Sequence, residues 1–183
     1  DLAFSPDGST LAAGGQDHIL RLYRVGGPER SGEPRGHTDS VNSLAITPDG
    51  KQVVSVGDDR TVRFWEPATG RQVRVLTVSE RLNAVAVSRD GDHLATAGEH
   101  GLARLWLLRN NLQSRVKGTD WNEVKALSFS RDGQALASGA VRYIRVWNVK
   151  GPTTEVRLDG HKSRIHGLTF SPADARLLAS CGD

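Results

Sequence analysis

The sequence predicts an all-β fold built from four copies, and part of a fifth, of one antiparallel unit of four short strands. Two sets of marker residues recur in phase along the chain, and each period divides into short apolar segments separated by turn residues. Self-similarity at a fixed period of about 40 residues is typical of repeat architectures. We therefore expect residues 1–183 to form one array of repeated units.

The first marker is a Ser/Thr-x-Asp-Gly turn. Its copies occupy residues 5–8, 47–50, 88–91 and 130–133, and a degenerate fifth copy occupies 171–174. Their glycines are separated by 42, 41 and 42 residues. Asp-Gly favours tight turns between antiparallel strands, because glycine adopts positive φ angles without steric cost. The second marker is an aromatic residue spaced by 42, 41 and 41 residues, at Tyr23, Trp65, Trp106 and Trp147.

The second copy shows how one period divides into strands. Residues 41–46 alternate apolar and polar side chains before the turn at residues 48–50. Residues 51–56 are largely apolar and β-branched, which predicts a strand buried on both faces. Residues 61–65 alternate again, and residues 71–76 supply a fourth strand. Four short strands in one period leave no room for a helix of ordinary length.

Composition excludes several other classes of protein. Hydrophobic residues make up 37% and charged residues 25%, which is ordinary for a globular protein. No apolar run approaches the roughly 18 residues of a membrane span, so we expect no membrane partner. The single cysteine, Cys181, excludes an internal disulfide framework and favours a cytoplasmic location. Because Cys181 lies in an apolar run, we expect a buried, inert thiol.

Three features of the second copy carry a resemblance to a known family. Gly36-His37, the turn at Asp58-Asp59 and the strand ending in Trp65, at this period, resemble WD40 repeats. The resemblance covers essentially the whole chain and implies four-stranded antiparallel blades of a β-propeller. The residue after each aromatic is not the family's usual Asp, a variation common in the family; these residues are Arg24, Glu66, Leu107 and Asn148. A different repeated β-meander, such as a sandwich, is the alternative.

The resemblance divides the chain into blades at about residues 1–35, 36–77, 78–118 and 119–159, with a truncated fifth at 160–183. Propellers of the family usually close with seven blades, so we expect an incomplete, open propeller. The chain starts at Asp1 and contains no Met, which favours a piece of a longer polypeptide. The missing blades are then expected from the parent chain or from another copy, since uncapped repeat ends expose apolar surface.

The resemblance also implies a buried hydrogen-bonded network in the second blade, formed by His37, Ser55, Asp59 and Trp65. A Ser-His-Asp set invites a hydrolase interpretation. We reject it, because no Gly-x-Ser-x-Gly elbow is present and buried polar groups of this kind need such partners. The other copies keep parts of the set: Ala13, Asp17 and Tyr23; Val78, Thr96, His100 and Trp106; Asp120, Ser138, Val141 and Trp147; His161 and Ser180. We expect the network to stabilise the second blade most, and the third and fourth blades to depend more on packing.

The resemblance implies that partner proteins bind on the loop side that carries the Gly-His segments. The exposed positions there fall three and five residues after the histidine and just before the turn aspartate. Carried onto this sequence, they are Ser40, Asn42, Asp58, Arg81, Asn83, Glu99, Glu123, Lys125, Arg164 and His166. Trp121 belongs to neither marker set and lies in the loop entering the fourth blade. It is either an aromatic anchor for a partner or local packing over the blade edges.

The predicted function is therefore a non-catalytic protein-interaction scaffold that needs no cofactor. His18, His93, His100 and His166 lack ligand spacing, so no metal site is expected. Nucleic-acid binding is an alternative suggested by the calculated isoelectric point of about 9.4. It is disfavoured because the arginines recur at strand positions, as a solvated outer surface would, at Arg21, Arg63, Arg74, Arg104 and Arg145. A targeting or regulatory propeller of a larger enzyme is a further alternative.

Overall fold

The computed structural model describes residues 1–27, 30–109, 114–119, 123–151 and 155–183, with residues 30–31 and 114–119 described by their backbone. Seventeen β-strands and no helix occupy these residues, and the strand pairings among them are antiparallel. The all-β, antiparallel prediction is therefore confirmed. Within the described ranges, no helix is long and apolar enough to cross a membrane.

The chain divides into two compact units, Asp1–Val85 and Ala86–Asp183. The first unit contains two complete four-stranded sheets. One sheet has the order β1 (Leu2–Phe4), β2 (Thr10–Ala13), β3 (Arg21–Arg24) and β4 (Arg30–Gly32). The other has the order β5 (Val41–Ile46), β6 (Val53–Gly57), β7 (Thr61–Trp65) and β8 (Gln72–Thr77).

The second unit is built from a four-stranded and a five-stranded sheet. The four-stranded sheet has the order β12 (Ser114–Thr119), β11 (Leu102–Leu107), β10 (His93–Gly98) and β9 (Leu82–Val87), and β9 crosses the unit boundary. The five-stranded sheet has the order β13 (Ala126–Phe129), β14 (Ala135–Gly139), β15 (Val141–Asn148), β16 (Glu155–Phe170) and β17 (Leu178–Gly182).

Each unit has its own hydrophobic core between consecutive sheets. In the first unit, Leu20 and Leu22 pack with Val53 and Trp65, and all four are at most 1% exposed. In the second unit, one cluster contains Trp147, and the core residues around it are Ala95, Ala97, Ala103, Leu105, Val124, Leu136, Ala140 and Val149. The strand β6 is buried along its whole length, as its β-branched sequence predicts.

The Ser/Thr-x-Asp-Gly turns share one local structure. Their glycines have φ between +68° and +73°, at Gly8, Gly50, Gly91 and Gly133. The Ser or Thr hydroxyl donates to the Asp carboxylate at 2.5–2.6 Å and accepts the N–H five residues ahead. The carboxylate also accepts the N–H two residues after it. Each turn therefore satisfies its own polar groups without help from neighbouring elements.

The strand β16 runs continuously across residue 160, the position at which the sequence analysis starts the fifth blade. Its residues 155–159 pair with β15, and its residues 165–170 pair with β17. One strand thus serves as the outer strand next to β15 and as the partner of β17.

Candidate functional site

A chain of hydrogen bonds crosses the sheet β5–β8 through four side chains. His37 Nδ1 lies 2.8 Å from Asp59 Oδ2, and His37 Nε2 lies 2.6 Å from Ser55 Oγ. The indole Nε1 of Trp65 donates to Ser55 Oγ at 2.8 Å. The sequence resemblance implies these four residues, and the structure brings them together. They tie the loop before β5 to the two central strands of the sheet.

Hydrogen-bond donation runs in one direction along the network, from Trp65 to Asp59. Because Ser55 Oγ accepts from Trp65, its own O–H is free to donate to His37 Nε2. The imidazole then carries its proton on Nδ1 and donates it to Asp59. Asp59 also accepts the Thr61 hydroxyl at 2.7 Å and the Thr38 N–H at 3.2 Å. Every polar atom along this chain therefore has a partner, as buried groups require.

Burial and hydrogen bonding shift both titratable groups of the network. Burial lowers the pKa of His37, and the nearby Asp59 carboxylate opposes that shift without reversing it. Burial alone would raise the pKa of Asp59, but the hydrogen bonds from Thr61 and Thr38 and the interaction with His37 lower it overall. At neutral pH the pair is a neutral imidazole donating to a carboxylate. The side chains of His37 and Asp59 are only 1% and 2% exposed, so a substrate cannot reach them.

The other sheets keep fragments of this network. Trp106 Nε1 donates to Thr96 Oγ1 at 2.9 Å, and His161 Nε2 lies 2.8 Å from Ser180 Oγ. In the fourth copy, Trp147 Nε1 instead contacts Glu155 Oε2 at 3.4 Å.

Ser138 and Asp17 occupy two further positions of the set, with different outcomes. The Ser138 hydroxyl is completely buried and has no hydrogen-bond partner among the described residues. In the first copy, Asp17 forms a surface ion pair with Arg21 at 2.5 Å. The fragments therefore range from a complete chain of bonds in the second copy to an isolated hydroxyl in the fourth.

In the first unit, the candidate partner-binding residues lie at the strand ends that carry the loop of His37. Asn42 Nδ2 donates to Asp58 Oδ1 at 2.8 Å and to the carbonyl of Leu82 at 2.9 Å. The Asp58 N–H donates to the carbonyl of Ser40. Ser40, Asn42 and Asp58 are therefore adjacent, and the Leu82 contact brings the segment of Arg81 and Asn83 beside them. Arg81 is exposed, whereas Asn83 is half-buried.

In the second unit, the candidate residues form two groups. Lys125 Nζ lies 2.6 Å from Glu123 Oε1, and the Val124 N–H donates to the Gly98 carbonyl, which places this pair next to Glu99. Arg164 and His166 are exposed on β16, where His166 Nε2 lies 3.2 Å from Asp183 Oδ2. Trp121 lies outside the described residues, so its two interpretations stay open.

Two polar side chains that the sequence analysis did not single out connect neighbouring segments, and a third is buried. The Asp1 carboxylate accepts from the Ser43 hydroxyl and the Leu44 N–H, and Ser43 Oγ accepts the Val85 N–H. The side chain of Glu80, before β9, is completely buried. Neither feature belongs to a repeated motif, so periodicity gives no signal for them.

The prediction of a buried Cys181 is wrong. Cys181 is exposed on β17, the edge strand of its sheet, where three of the five residues are exposed. An apolar run predicts burial only where a neighbouring element covers the strand, and no described segment covers this one. No group of three His, Cys, Asp or Glu side chains in the described ranges is arranged to hold a metal ion.

Only one of the five recurring arginines is exposed, as a solvated arginine surface would require. Arg74 is exposed and stacks over Phe64 with its guanidinium carbon 5.9 Å from the ring centre. Arg63 and Arg145 are only 13% and 19% exposed and lie beside Asp59 and Glu155. The recurring arginines therefore contact acidic and aromatic side chains of their own sheets.

The repeated sheets and their marker residues agree with a comparison against known families. The sequence matches WD40, described as WD domain, G-beta repeat, over residues 1–24, 29–66, 70–106, 110–148 and 152–183. The chain belongs to the WD40 repeat family. The WD40 resemblance and the incomplete propeller fold are therefore confirmed.

Three relatives illustrate how far the similarity to other proteins extends along the chain. The chain is 26% identical over 182 residues, 98% of its length, to the U3 small nucleolar RNA-associated protein 15 homolog of Xenopus tropicalis. It is 44% identical over 77 residues to an uncharacterized WD repeat-containing protein of Synechocystis, and 38% identical over 77 residues to the serine-threonine kinase receptor-associated protein of Gallus gallus; each match covers 42% of the chain. The chain spans 35%, 22% and 22% of the lengths of these three relatives.

Proposed function

We propose that this chain is a non-catalytic protein-interaction scaffold that binds a partner protein through the loop-side residues of its blades. Membership of the WD40 family supports protein binding. The observation that carries the non-catalytic part is the burial of the Ser55–His37–Asp59 chain. Its hydroxyl is 0% exposed and already donates within the network, so it cannot act as a nucleophile toward a bound substrate.

The loop side of the first unit supports the proposal because it combines rigid and adaptable groups. Asn42 is held by two hydrogen bonds, to Asp58 and to the Leu82 carbonyl, so its position is set before any partner arrives. A preorganised surface loses less entropy on binding than one that must be ordered. Arg81 is exposed beside this group, and arginine is enriched at the energetic centres of protein interfaces.

Nucleic-acid binding is the second candidate, because one relative is named for its association with small nucleolar RNA. Phosphate-backbone binding requires clustered cations that are free to contact phosphates. Two of the recurring arginines do not meet this requirement, because Arg63 contacts Asp59 and Arg145 contacts Glu155 within their own sheets. A regulatory propeller of a larger enzyme also stays a proposal, since the chain spans 35% or less of each relative.

The test compares partner capture by the chain and by variants of its loop side. Arg81→Glu, Arg164→Glu and Trp121→Ala are each expected to lose a captured protein that the unchanged chain retains. Arg89→Glu is the matched control, since Arg89 is also exposed but lies in the Asp-Gly turn after β9, at the opposite strand end from Arg81. Equal capture by all variants would contradict the loop-side proposal. Salt-sensitive binding to a labelled RNA, lost in the same variants, would support the nucleic-acid alternative instead.

A further inference from the structure

A cleft opens between the two sheets of the first unit, on the side of the Asp-Gly turns. It encloses about 540 Å³, within the range of roughly 300–1,000 Å³ that is usual for ligand sites. Its lining combines apolar and charged groups, contributed by Thr10, Arg24, Val25, Lys51, Glu66 and Pro67. Ser40 directly precedes β5, and Gly50 lies in the turn that follows β5. The cleft therefore lies at the opposite strand ends from the proposed partner-binding residues.

The second unit contains a cleft at the same position of the repeat. It encloses about 280 Å³, and its lining includes Gln134, Asn148 and Ala175. Asn148 follows Trp147 as Arg24 follows Tyr23, and Gln134 follows Gly133 as Ser9 follows Gly8. The repeat architecture therefore creates this type of cleft between consecutive copies, and the side chains that line it determine what each cleft can bind.

The two clefts differ in charge. The first presents two exposed cations, Arg24 and Lys51, and neither forms an ion pair with another described residue. Its one acidic side chain, Glu66, already accepts the Thr69 hydroxyl at 2.6 Å and lies 3.7 Å from Arg71 Nε. The second cleft has Asn148 in place of the arginine and includes the Asp132 carboxylate. The first cleft is thus complementary to a negatively charged group, and the second is not.

Apolar surface lies beside these cations. Val25, directly after β3, is 49% exposed, and Pro67 lines the same cleft from the turn between β7 and β8. An exposed apolar side chain next to unpaired cations suits a ligand that has an apolar side chain next to an anionic one. A peptide segment with alternating acidic and apolar residues has this pattern.

We propose that the cleft lined by Arg24, Val25, Lys51 and Pro67 binds a short acidic and apolar peptide segment of a partner protein. The peptide carboxylates contact Arg24 and Lys51, and an adjacent apolar side chain covers Val25 and Pro67. Arginine and lysine bind carboxylates through charge-assisted hydrogen bonds, which are stronger than neutral ones. This site is separate from the loop side, so the chain would hold two segments of partner protein at opposite strand ends.

The test selects peptides with a random heptapeptide phage library on the immobilised chain and measures the affinity of the enriched peptide by fluorescence anisotropy. The expected peptides carry Asp or Glu next to Leu, Ile or Val. Replacing their acidic residues with the amides should weaken binding at least tenfold, and added salt should weaken binding of the acidic form. Enrichment without acidic residues would overturn the proposal.

Variants locate the binding site. The double variant Arg24→Glu/Lys51→Glu is expected to weaken peptide binding at least tenfold, while Asn148→Glu in the second cleft leaves it unchanged. If the charge reversal alters thermal unfolding, the neutral pair Arg24→Gln/Lys51→Gln replaces it. Undiminished binding by a folded double variant would overturn the assignment. Arg81→Glu should not change peptide affinity, so failure at this cleft and failure of the loop-side proposal give different results.

Discussion

His37 Nδ1 and Asp59 Oδ2 lie 2.8 Å apart inside the sheet β5–β8, and both side chains are at least 98% buried. The contact joins the loop before β5 to the turn between β6 and β7, which are 22 residues apart in sequence. The resulting geometry resembles part of a catalytic triad, but the hydroxyl at its end is directed into the protein and accepts the indole N–H of Trp65. Its consequences are therefore for stability.

Removing the Asp59 carboxylate should destabilise the fold. Asp59→Ala is expected to cost about 2–4 kcal/mol of unfolding free energy, because His37 Nδ1 then loses its buried acceptor. Asp17→Ala, at the equivalent position of the first copy, removes only a surface ion pair and should cost much less than Asp59→Ala. Chemical denaturation measures both values. A loss below about half a kcal/mol for Asp59→Ala would contradict a closed network.

Stability should fall as the pH drops below 6.5, the ordinary pKa of histidine. Because burial lowers the pKa of folded His37, the unfolded chain binds more protons in this window, and protonation favours unfolding. A further loss is expected below pH 3.8, since the pKa of Asp59 is lowered and hydrogen bonds from Ser5 and Ser9 hold that of Asp7 at about 2. Unfolding free energies at several pH values test this, and His37→Gln should flatten the first decline. An unchanged slope in His37→Gln would show that other groups cause it.

Two buried serines at equivalent positions should respond differently to removal of the hydroxyl. Ser55→Ala is expected to cost about 2–4 kcal/mol, since it leaves both His37 Nε2 and Trp65 Nε1 without their partner. Ser138→Ala should be neutral or stabilising, because the Ser138 hydroxyl is buried without a described hydrogen-bond partner. Denaturant midpoints compare the two variants. Equal losses would mean that the hydroxyl of Ser138 is also satisfied.

The Asp-Gly turns should tolerate a side chain poorly at the glycine. Gly50 has φ +70°, and a Cβ there would contact nothing within 4 Å, so Gly50→Ala isolates the backbone cost of about 1–2 kcal/mol. Gly15 is equally open but lacks a positive φ, so Gly15→Ala should be neutral or slightly stabilising. Thermal unfolding of the two variants gives the comparison, and equal stabilities would contradict the argument.

Exposed apolar residues on β1 should promote self-association. Leu2 and Phe4 are 65% and 61% exposed, so light scattering across a dilution series should detect dimers or larger species. Leu2→Ser/Phe4→Ser should shift the chain toward monomer. Val73→Thr/Val75→Thr on β8 is the control for general surface polarity, since these valines are 38% and 44% exposed. A monomer at all concentrations would contradict association through β1.

Much of the fold is predictable from the sequence because the repeat gives each element several independent observations. The strands β5 and β7 have the predicted bounds, and β6 and β8 differ from prediction by two residues or fewer at each end. The Asp-Gly turns are predictable because their φ angle depends on local chemistry. The connection between the second and third strands of each copy is less predictable. Its positive φ angle is adopted by His18, Arg60 and Arg142, which are not glycines. Only in the third copy is the residue a glycine, Gly101.

The chemistry of the candidate sites is predictable only where a motif sets it. The four residues of the His37 network follow from the family pattern, whereas the contact of Trp147 with Glu155 replaces the expected serine partner and has no sequence signal. The cation pair of Arg24 and Lys51 is likewise invisible in the sequence, because the two residues are 27 positions apart and only sheet packing brings them to one cleft. Exposure of Cys181 depends on neighbouring elements and not on its own run of apolar residues.

The strand β16 joins its two pairings through a bulge. Its five steps from Asp159 to Arg164 face only the two steps of β15 from Tyr143 to Val141. Because residues 160–163 lie between these paired positions, a single residue inserted among them would lengthen the bulge and leave both pairings in register. Residues 167–170 pair with β17 in regular register, so an insertion there would turn over the side chains that follow it. The join between these two repeats should therefore tolerate a change of length before Arg164 and not within residues 167–170.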